Sequence, residues 1–372
     1  MKARVVLLTT NLALGGAEAA VAQLARGLAA RGWAVTVFSM LSPTAFLAEL
    51  EQAGVPVRSL GMQPGAANSP GFLRLLSLLR SCRPGILHSH MFHANLAARL
   101  ARLLCPAPVV ISTLHSAAES PRGSAEIRGR DRLYRLTDRL ADVTVAVSEA
   151  VAERHAAAGA VARHKLRVIP NGVDTERFRP DPLLRERMRR ELGLGGEFVW
   201  LAVGRLMWKK GYPAMLEAFG RQGGGVLLVA GAGPLEEQLR QQAAAFGGRV
   251  RFLGERRDIA ELMAAADACV QASLVEGLPM ALLEAAAAGL PTVATDVGGT
   301  AEIVASQVTG FLAPAGDAVA LAEAMARMEA LSPAERRKMG EAARARVLER
   351  FDSRLALARW EDLYGELAAR WT

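Results

Sequence analysis

Four stretches of this 372-residue chain hold residue types that could do chemistry. Gly204-Arg205-Leu206-Met207-Trp208-Lys209-Lys210-Gly211 gathers one guanidinium and two ammonium groups. Arginine presents a planar fork to phosphate oxygens and lysine a mobile point charge, which suits a diphosphate whose charge grows as it leaves. A solvated basic loop would have the same composition. Basic residues number 45 and only five are lysines, so single arginines say little and the adjacent Lys209 and Lys210 say more.

Glu276-Gly277-Leu278-Pro279-Met280-Ala281-Leu282-Leu283-Glu284 sets two carboxylates eight positions apart. Pro279 suits the first turn of a helix, which leaves Glu276 on the preceding loop and Glu284 among alanines and leucines. Carboxylates accept hydrogen bonds from sugar hydroxyls, and free amides at a helix start suit phosphate. A carboxylate in such an apolar helix is costly without a partner, which points to a ligand. A helix-dipole contact for Glu276 and a buried hydrogen bond for Glu284 are the alternatives.

Gly15-Gly16 lies between an apolar run and a helical pattern, either a close backbone approach to phosphate or a tight turn. His88, His90 and His93 form H-x-H-x-x-H. On a strand, positions 88 and 90 share a face, as paired metal ligands would. A cleft or acceptor contact and satisfied structural histidines are the other readings. The chain has no Asp-x-Asp pair to hold a metal on a diphosphate, so metal binding is not expected. It also lacks G-x-G-x-x-G, a Walker A run and a G-x-S-x-G elbow, which removes dehydrogenase, P-loop and hydrolase readings.

These residues need elements to position them. Apolar runs predict strands at Val5 to Thr9, Val35 to Ser39, Ile86 to His88, Val109 to Thr113 and Val143 to Val147, with helices at Ala17 to Ala30, Phe72 to Arg80 and Asn95 to Leu104. A second series of strands follows at Phe198 to Val203, Val226 to Ala230, Val250 to Leu253, Cys269 to Ala272 and Thr292 to Thr295. Helices alternate with them at Tyr212 to Phe219, Leu235 to Ala245, Ile259 to Ala265 and Pro279 to Ala287. Alternation of this kind predicts doubly wound parallel sheets, with ligands outside the carboxyl ends of the strands. Turn chemistry at Ile169-Pro170-Asn171-Gly172 divides the chain into domains over 1–169 and 170–353, with a helix over 354–372 expected to pack back on the first.

Composition bounds the rest. Apolar residues make up 51% and charged residues 22%, enough for two cores and too much for disorder. Cys82, Cys105 and Cys269 stand far apart, which excludes a disulfide framework and a Cys-rich zinc site and predicts a cytoplasmic protein. Thr9, Thr10 and Asn11 interrupt the first apolar run, so no signal peptide is expected, and Glu284 breaks the longest apolar stretch before it could span a membrane. Of the net charge of +8, residues 1–180 carry +10 and the remainder −2. An anionic partner for the first half follows. Arg128, Arg132, Arg135 and Arg139 fall at helical spacing beside Leu133, Leu136 and Leu140, a segment that reads as a contact for an anionic membrane or lipid diphosphate, or as a solvated face.

Taken in order, four sets of motifs resemble the retaining glycosyltransferases of family four, bacterial enzymes of polysaccharide or glycolipid synthesis. They are Gly15-Gly16-Ala17-Glu18, Gly204-Arg205 with Lys210-Gly211, Glu276 to Glu284 followed by Gly289-Leu290-Pro291, and Asp296-Val297-Gly298-Gly299-Thr300. The first half adds Leu87 to Asn95 and Thr113-Leu114-His115-Ser116. The resemblance implies a GT-B fold, two Rossmann-like domains facing a central cleft, and metal-independent transfer from a nucleotide diphosphate sugar to a glycan or lipid-linked acceptor. It further implies that Arg205 and Lys210 hold the donor diphosphate, with Gly15, Gly16 and the amides near Met280 and Ala281. Glu284 would hold the ribose, Glu276 the transferred sugar, and His115 would meet that sugar near the reacting carbon. His88, His90 and His93 are then candidates for the acceptor. Lys210 is preferred to Lys209 by spacing, and Leu278-Pro279 stands where many relatives have Phe-Gly. A nucleotide-sugar epimerase or sugar phosphorylase of the same fold, and a non-catalytic polyanion-binding protein, are the rival readings; nucleic acid is not an expected partner of the enzyme.

Overall fold

The computed structural model describes residues 2–63, 69–105, 107–117 and 124–370, so the last two positions of the expected terminal helix lie outside it. The chain divides into two units, 1–171 with 354–372, and 172–353.

In the first unit the alternation is β1 (Val5–Thr9), α1 (Gly16–Ala30), β2 (Val35–Ser39), α2 (Leu47–Gln52), β3 (Val57–Ser59), α3 (Ser69–Cys82), β4 (Ile86–His90), α4 (Phe92–Ala101), β5 (Val109–Leu114), α5 (Ser124–Thr137), β6 (Val143–Ala146), α6 (Glu149–Ala157) and β7 (Leu166–Val168). The seven strands lie in the order β3-β2-β1-β4-β5-β6-β7, and every pair is parallel. Alternate residues of each strand feed opposite faces. Leu7, Val37, Ile86 and Ile111 pack with α1, and Leu8, Leu87 and Val110 pack with α3 and α4.

The second unit runs α7 (Pro182–Glu191), β8 (Val199–Val203), α8 (Tyr212–Gly220), β9 (Val226–Ala230), α9 (Glu236–Ala243), β10 (Val250–Gly254), α10 (Ile259–Ala265), β11 (Ala268–Gln271), α11 (Met280–Ala287), β12 (Thr292–Thr295), α12 (Thr300–Ile303), β13 (Gly310–Ala313), α13 (Ala318–Ala330) and α14 (Pro333–Arg350). Its strand order is β10-β9-β8-β11-β12-β13, again all parallel. The last helix, α15 (Ser353–Ala368), sends Trp360, Leu363, Tyr364 and Leu367 into the core of the first unit. Strand order reverses direction between β1 and β4 in one unit and between β8 and β11 in the other. At such switch points the loops leaving neighbouring strands diverge and open a crevice for ligands.

Several boundaries differ from the expectations. β4 continues through Ser89 and His90, because those polar residues pair with Ser112 and Thr113 of β5. The next helix begins at Phe92 rather than Asn95, after Met91 takes a left-handed φ of 72°, a turn that its sequence does not announce. Arg128 to Leu140 is not one helix: α5 ends at Thr137 and Asp138–Leu140 forms a 3₁₀ turn, which moves Arg139 off the helical stripe. Pro279 is the cap residue of α11, one place before its first turn.

Candidate active site

At the switch point of the second unit, the loop leaving β8 carries Arg205 and Lys210. A 3₁₀ turn over Trp208–Lys210 ends at Gly211, whose φ is +63° and where a Cβ would sit 1.9 Å from the Ala272 carbonyl oxygen. Only glycine allows that approach, and it presses the loop against the end of β11. Leu274 N–H donates to the Lys209 carbonyl at 2.7 Å. The result is a meeting of residues 66 positions apart: Lys210 Nζ donates to Glu276 Oε1 at 2.5 Å. Lys210, not Lys209, therefore carries the ammonium to the carboxylate.

Glu276 is 9% exposed, and the same oxygen accepts from Ser273 Oγ at 2.7 Å and Gln271 Nε2 at 3.1 Å. Three donors on one buried oxygen fix the carboxylate in place. The end of β12 and the loop after it brace it: Thr295 Oγ1 donates to the Ser273 carbonyl, and Gly299 N–H to that of Gly277. Gln271 and Ser273 are site residues that the motifs did not single out. A glutamine closing the apolar run Ala268-Cys269-Val270 was the available signal.

Arg205 is exposed, and among the described residues its guanidinium has no hydrogen bond or ion pair. Glu284 is half-buried within α11. Burial pushes its carboxyl up to about 7, against the opposing pull of Arg177. No hydrogen bond to that carboxylate is found among the described residues. Pro279 supplies no side-chain cap, so Met280 and Ala281 open α11 with their amides uncapped by a side chain.

The switch point of the first unit is built from Asn11, His90 and His115, at the ends of the adjacent strands β1, β4 and β5. His90 Nδ1 and His115 Nε2 lie 3.1 Å apart. The outer nitrogens of both rings, and Asn11 Oδ1, are buried without a partner among the described residues. Burial holds His115 down at about 4 and His90 well below its ordinary range, so both are neutral near pH 7. His88, two residues earlier, has a different fate. It is 0% exposed, with Nδ1 at 2.7 Å from Tyr364 Oη and Nε2 at 2.7 Å from Thr113 Oγ1. With both nitrogens engaged, nothing remains to bind an acceptor, which corrects that assignment. His93 is exposed on α4, apart from the buried histidines.

Gly15 precedes α1, and a Cβ there would lie 2.4 Å from Oε2 of the buried Glu18. That carboxylate supplies a reason for a small residue at Gly15 independent of phosphate, whereas Gly16 opens the helix. Of the basic stripe, Arg135 gives Nε and Nη2 to the carbonyls of Gly159 and Ala158, both at 2.8 Å. It caps the end of α6 and is not available as a docking group, a correction to the four-residue stripe. Arg128, Arg132 and Arg139 are exposed, with Leu133 and Leu136 exposed by 43% and 63%. Among the described residues, no group of three His, Cys, Asp or Glu could hold a metal ion and no helix is long and apolar enough to cross a membrane.

Two doubly wound parallel-sheet units, one with cations and carboxylates at its switch point, define a protein of GT-B architecture. The model of Glycosyltransferase Family 4 matches residues 14–177, and that of Glycosyl transferases group 1 matches 185–346. D-inositol 3-phosphate glycosyltransferase of Geodermatophilus obscurus is 32% identical over 88% of this chain and 81% of its own. UDP-Gal:alpha-D-GlcNAc-diphosphoundecaprenol alpha-1,3-galactosyltransferase of Escherichia coli is 28% identical over 69% of each. A GDP-mannose-dependent phosphatidylinositol monomannoside mannosyltransferase of Mycobacterium tuberculosis is 33% identical over 61% of this chain, which spans 60% of that relative. Anabaena HepE, solved with UDP-glucose, shares the fold with a TM-score of 0.88 at 24% identity, covering 98% of this chain and all of that one. The chain belongs to the family-four glycosyltransferases.

Proposed function

We propose that this glycosyltransferase moves a hexosyl group, with retention, from a nucleotide diphosphate sugar to a hydroxyl of a glycan or lipid-linked saccharide in cell-surface polysaccharide synthesis. The observation that carries the reading is the Lys210–Glu276 contact at one switch point, with Arg205 on the same loop and without a partner among the described residues. Arg205 and Lys210 take the diphosphate, and their charge grows in value as the bond from the sugar carbon to the diphosphate oxygen breaks. Because these two cations supply the charge, no metal is required, and activity should persist in EDTA. The amides of Gly16, Met280 and Ala281 assist them. Glu284 accepts from ribose hydroxyls, Glu276 from hydroxyls of the transferred sugar, and His115 meets that sugar. The acceptor oxygen bonds to the sugar carbon on the face that the diphosphate leaves, and its proton passes to the departing diphosphate.

Relatives named for UDP-galactose and GDP-mannose support a nucleotide-sugar donor, and their diphosphoundecaprenol and phosphatidylinositol acceptors support a lipid-linked one. The first unit is assigned the acceptor, at a cytoplasmic anionic membrane surface met by Arg128, Arg132 and Arg139 with Leu133 and Leu136. Thermal unfolding in a panel of UDP and GDP sugars tests the donor, since a ligand of the native state raises Tm. One nucleotide sugar should do so in wild type and fail with Arg205→Ala; no shift with any member of the panel would overturn the reading.

A further inference from the structure

The contact between His90 and His115 uses one nitrogen of each ring, at 3.1 Å, with ring centroids 5.3 Å apart. One nitrogen must donate and the other accept, because two N–H groups cannot face each other. Counting protons then decides the outer nitrogens. If His90 Nδ1–H is the donor, His115 carries its proton on Nδ1 and His90 leaves Nε2 bare. If His115 Nε2–H is the donor, the two swap. In either case one outer nitrogen is a donor and the other an acceptor. Both are buried with no partner among the described residues, and buried polar atoms in folded proteins are almost always satisfied by something.

We infer that His90 is a positioning residue, which fixes the ring of His115 through its Nδ1 and ties the His115 tautomer to its own, so that the pair always offers one donor and one acceptor to a hydroxyl-bearing group of the transferred sugar. A hydroxyl both gives and accepts, and so matches the pair in either tautomer. A carboxylate only accepts and would face the bare nitrogen, whereas a methyl group would leave both nitrogens unpaired.

The support behind His90 is complete. Its ring is 2% exposed and lies against His88, with centroids 4.1 Å apart. His88 is locked by Tyr364 Oη and Thr113 Oγ1, and the Trp360 ring lies 4.5 Å from it. Tyr364 and Trp360 belong to α15, so a helix 270 residues along the chain steadies a ring at the first switch point. Packing and hydrogen bonds of this kind keep a site residue in one orientation.

The assignment rests on the reading that His115 meets the donor sugar, and two measurements separate the two claims. Long-range proton–nitrogen NMR of the ligand-free protein reads the His115 tautomer. In wild type the tautomers of His90 and His115 should be complementary, with one proton between the rings and one on an outer nitrogen, and His90→Phe should shift the His115 tautomer populations. His90→Asn, whose side-chain amide lies near the place of Nδ1 and can give or accept there, should return the populations toward those of wild type. Calorimetry with UDP-glucose, UDP-galactose and GDP-mannose, beside free UDP and GDP, reads the sugar. His90→Phe should weaken the best of the three nucleotide sugars at least tenfold, His90→Asn less than threefold, and neither variant should change affinity for free UDP or GDP. UDP-glucuronate should bind wild type more weakly than UDP-glucose. An unchanged His115 tautomer in His90→Phe would overturn the positioning role. A changed tautomer with unchanged sugar affinity would overturn the assignment of His115 to the sugar.

Discussion

At the end of the first sheet, burial pushes His115 down to about 4 and leaves it uncharged; at the end of the second, it pushes Glu284 up to about 7. Desolvation is the leading cause in both and favours the neutral form in both. The consequences for stability run in opposite directions. For His115, ordinarily near 6.5, the unfolded chain takes up a proton between pH 6.5 and about 4 that the native state refuses, so stability present above 6.5 is lost as pH falls. For Glu284, ordinarily near 4.5, the native state keeps a proton that the unfolded chain has released, so stability present below 4.5 is lost as pH rises through 7. Each amounts to about 3 kcal/mol. The second sheet also pairs Lys210 with a Glu276 that has two further donors. One edge is built to stay neutral and the other to meet charge.

The largest expected effect tests the charged edge. Arg205→Ala or Lys210→Ala should lower kcat/KM a hundredfold or more, about 3 kcal/mol, as when one charge-stabilising donor is lost. Lys209→Ala should change it only a few-fold, and equal effects at 209 and 210 would break the distinction drawn from the Glu276 contact. Next comes the opposed response to pH. Hydrogen exchange resolved by unit should show the first unit weakening from pH 7 to 5 and the second weakening from pH 5 to 8. Glu284→Gln should remove up to about 3 kcal/mol of the second trend. Trends of the same sign in both units would sink the comparison.

A smaller effect separates the two carboxylates. Glu284→Ala should weaken free UDP or GDP about tenfold, roughly 1.4 kcal/mol, while Glu276→Ala spares free nucleotide. Loss of nucleotide affinity in the Glu276 variant would contradict the assigned roles. The smallest effect per residue concerns the exposed face of the first unit, where each basic group near an anionic surface contributes about 1 kcal/mol. Arg128→Glu with Arg132→Glu should reduce co-sedimentation with anionic vesicles at physiological salt and leave nucleotide affinity intact. If wild type ignores such vesicles, the face is only solvated and a soluble acceptor is the better reading.

Local pattern made much of this legible. β1, β2, β9 and β12 run over the residues that their apolar runs predict, because four or five buried residues between turn signals fit a parallel strand and little else. β3 and β7 carry no such signal: each has three residues, none of them buried, so no apolar run marks them. Arg205, Lys210, Glu276 and Glu284 stood out by residue type and spacing. The histidines did not sort themselves. His88 and His90 share a strand, a face and a motif, yet one is consumed by Tyr364 and Thr113 and the other keeps a nitrogen without a partner among the described residues.

The sequence by itself therefore determined the alternation of strand and helix, the parallel sheets, the charge imbalance and the residue types available for phosphate and sugar. Tertiary structure alone decided strand order, and with it the two switch points where β1 meets β4 and β8 meets β11. It decided that Lys210 rather than Lys209 reaches Glu276, that Gln271 and Ser273 share that oxygen, and that Tyr364 takes His88 out of the site. The reason is physical. Propensity and periodicity act over a few neighbouring residues, whereas burial, ion pairing and hydrogen-bond satisfaction depend on neighbours in space, here 66 and 276 positions apart along the chain.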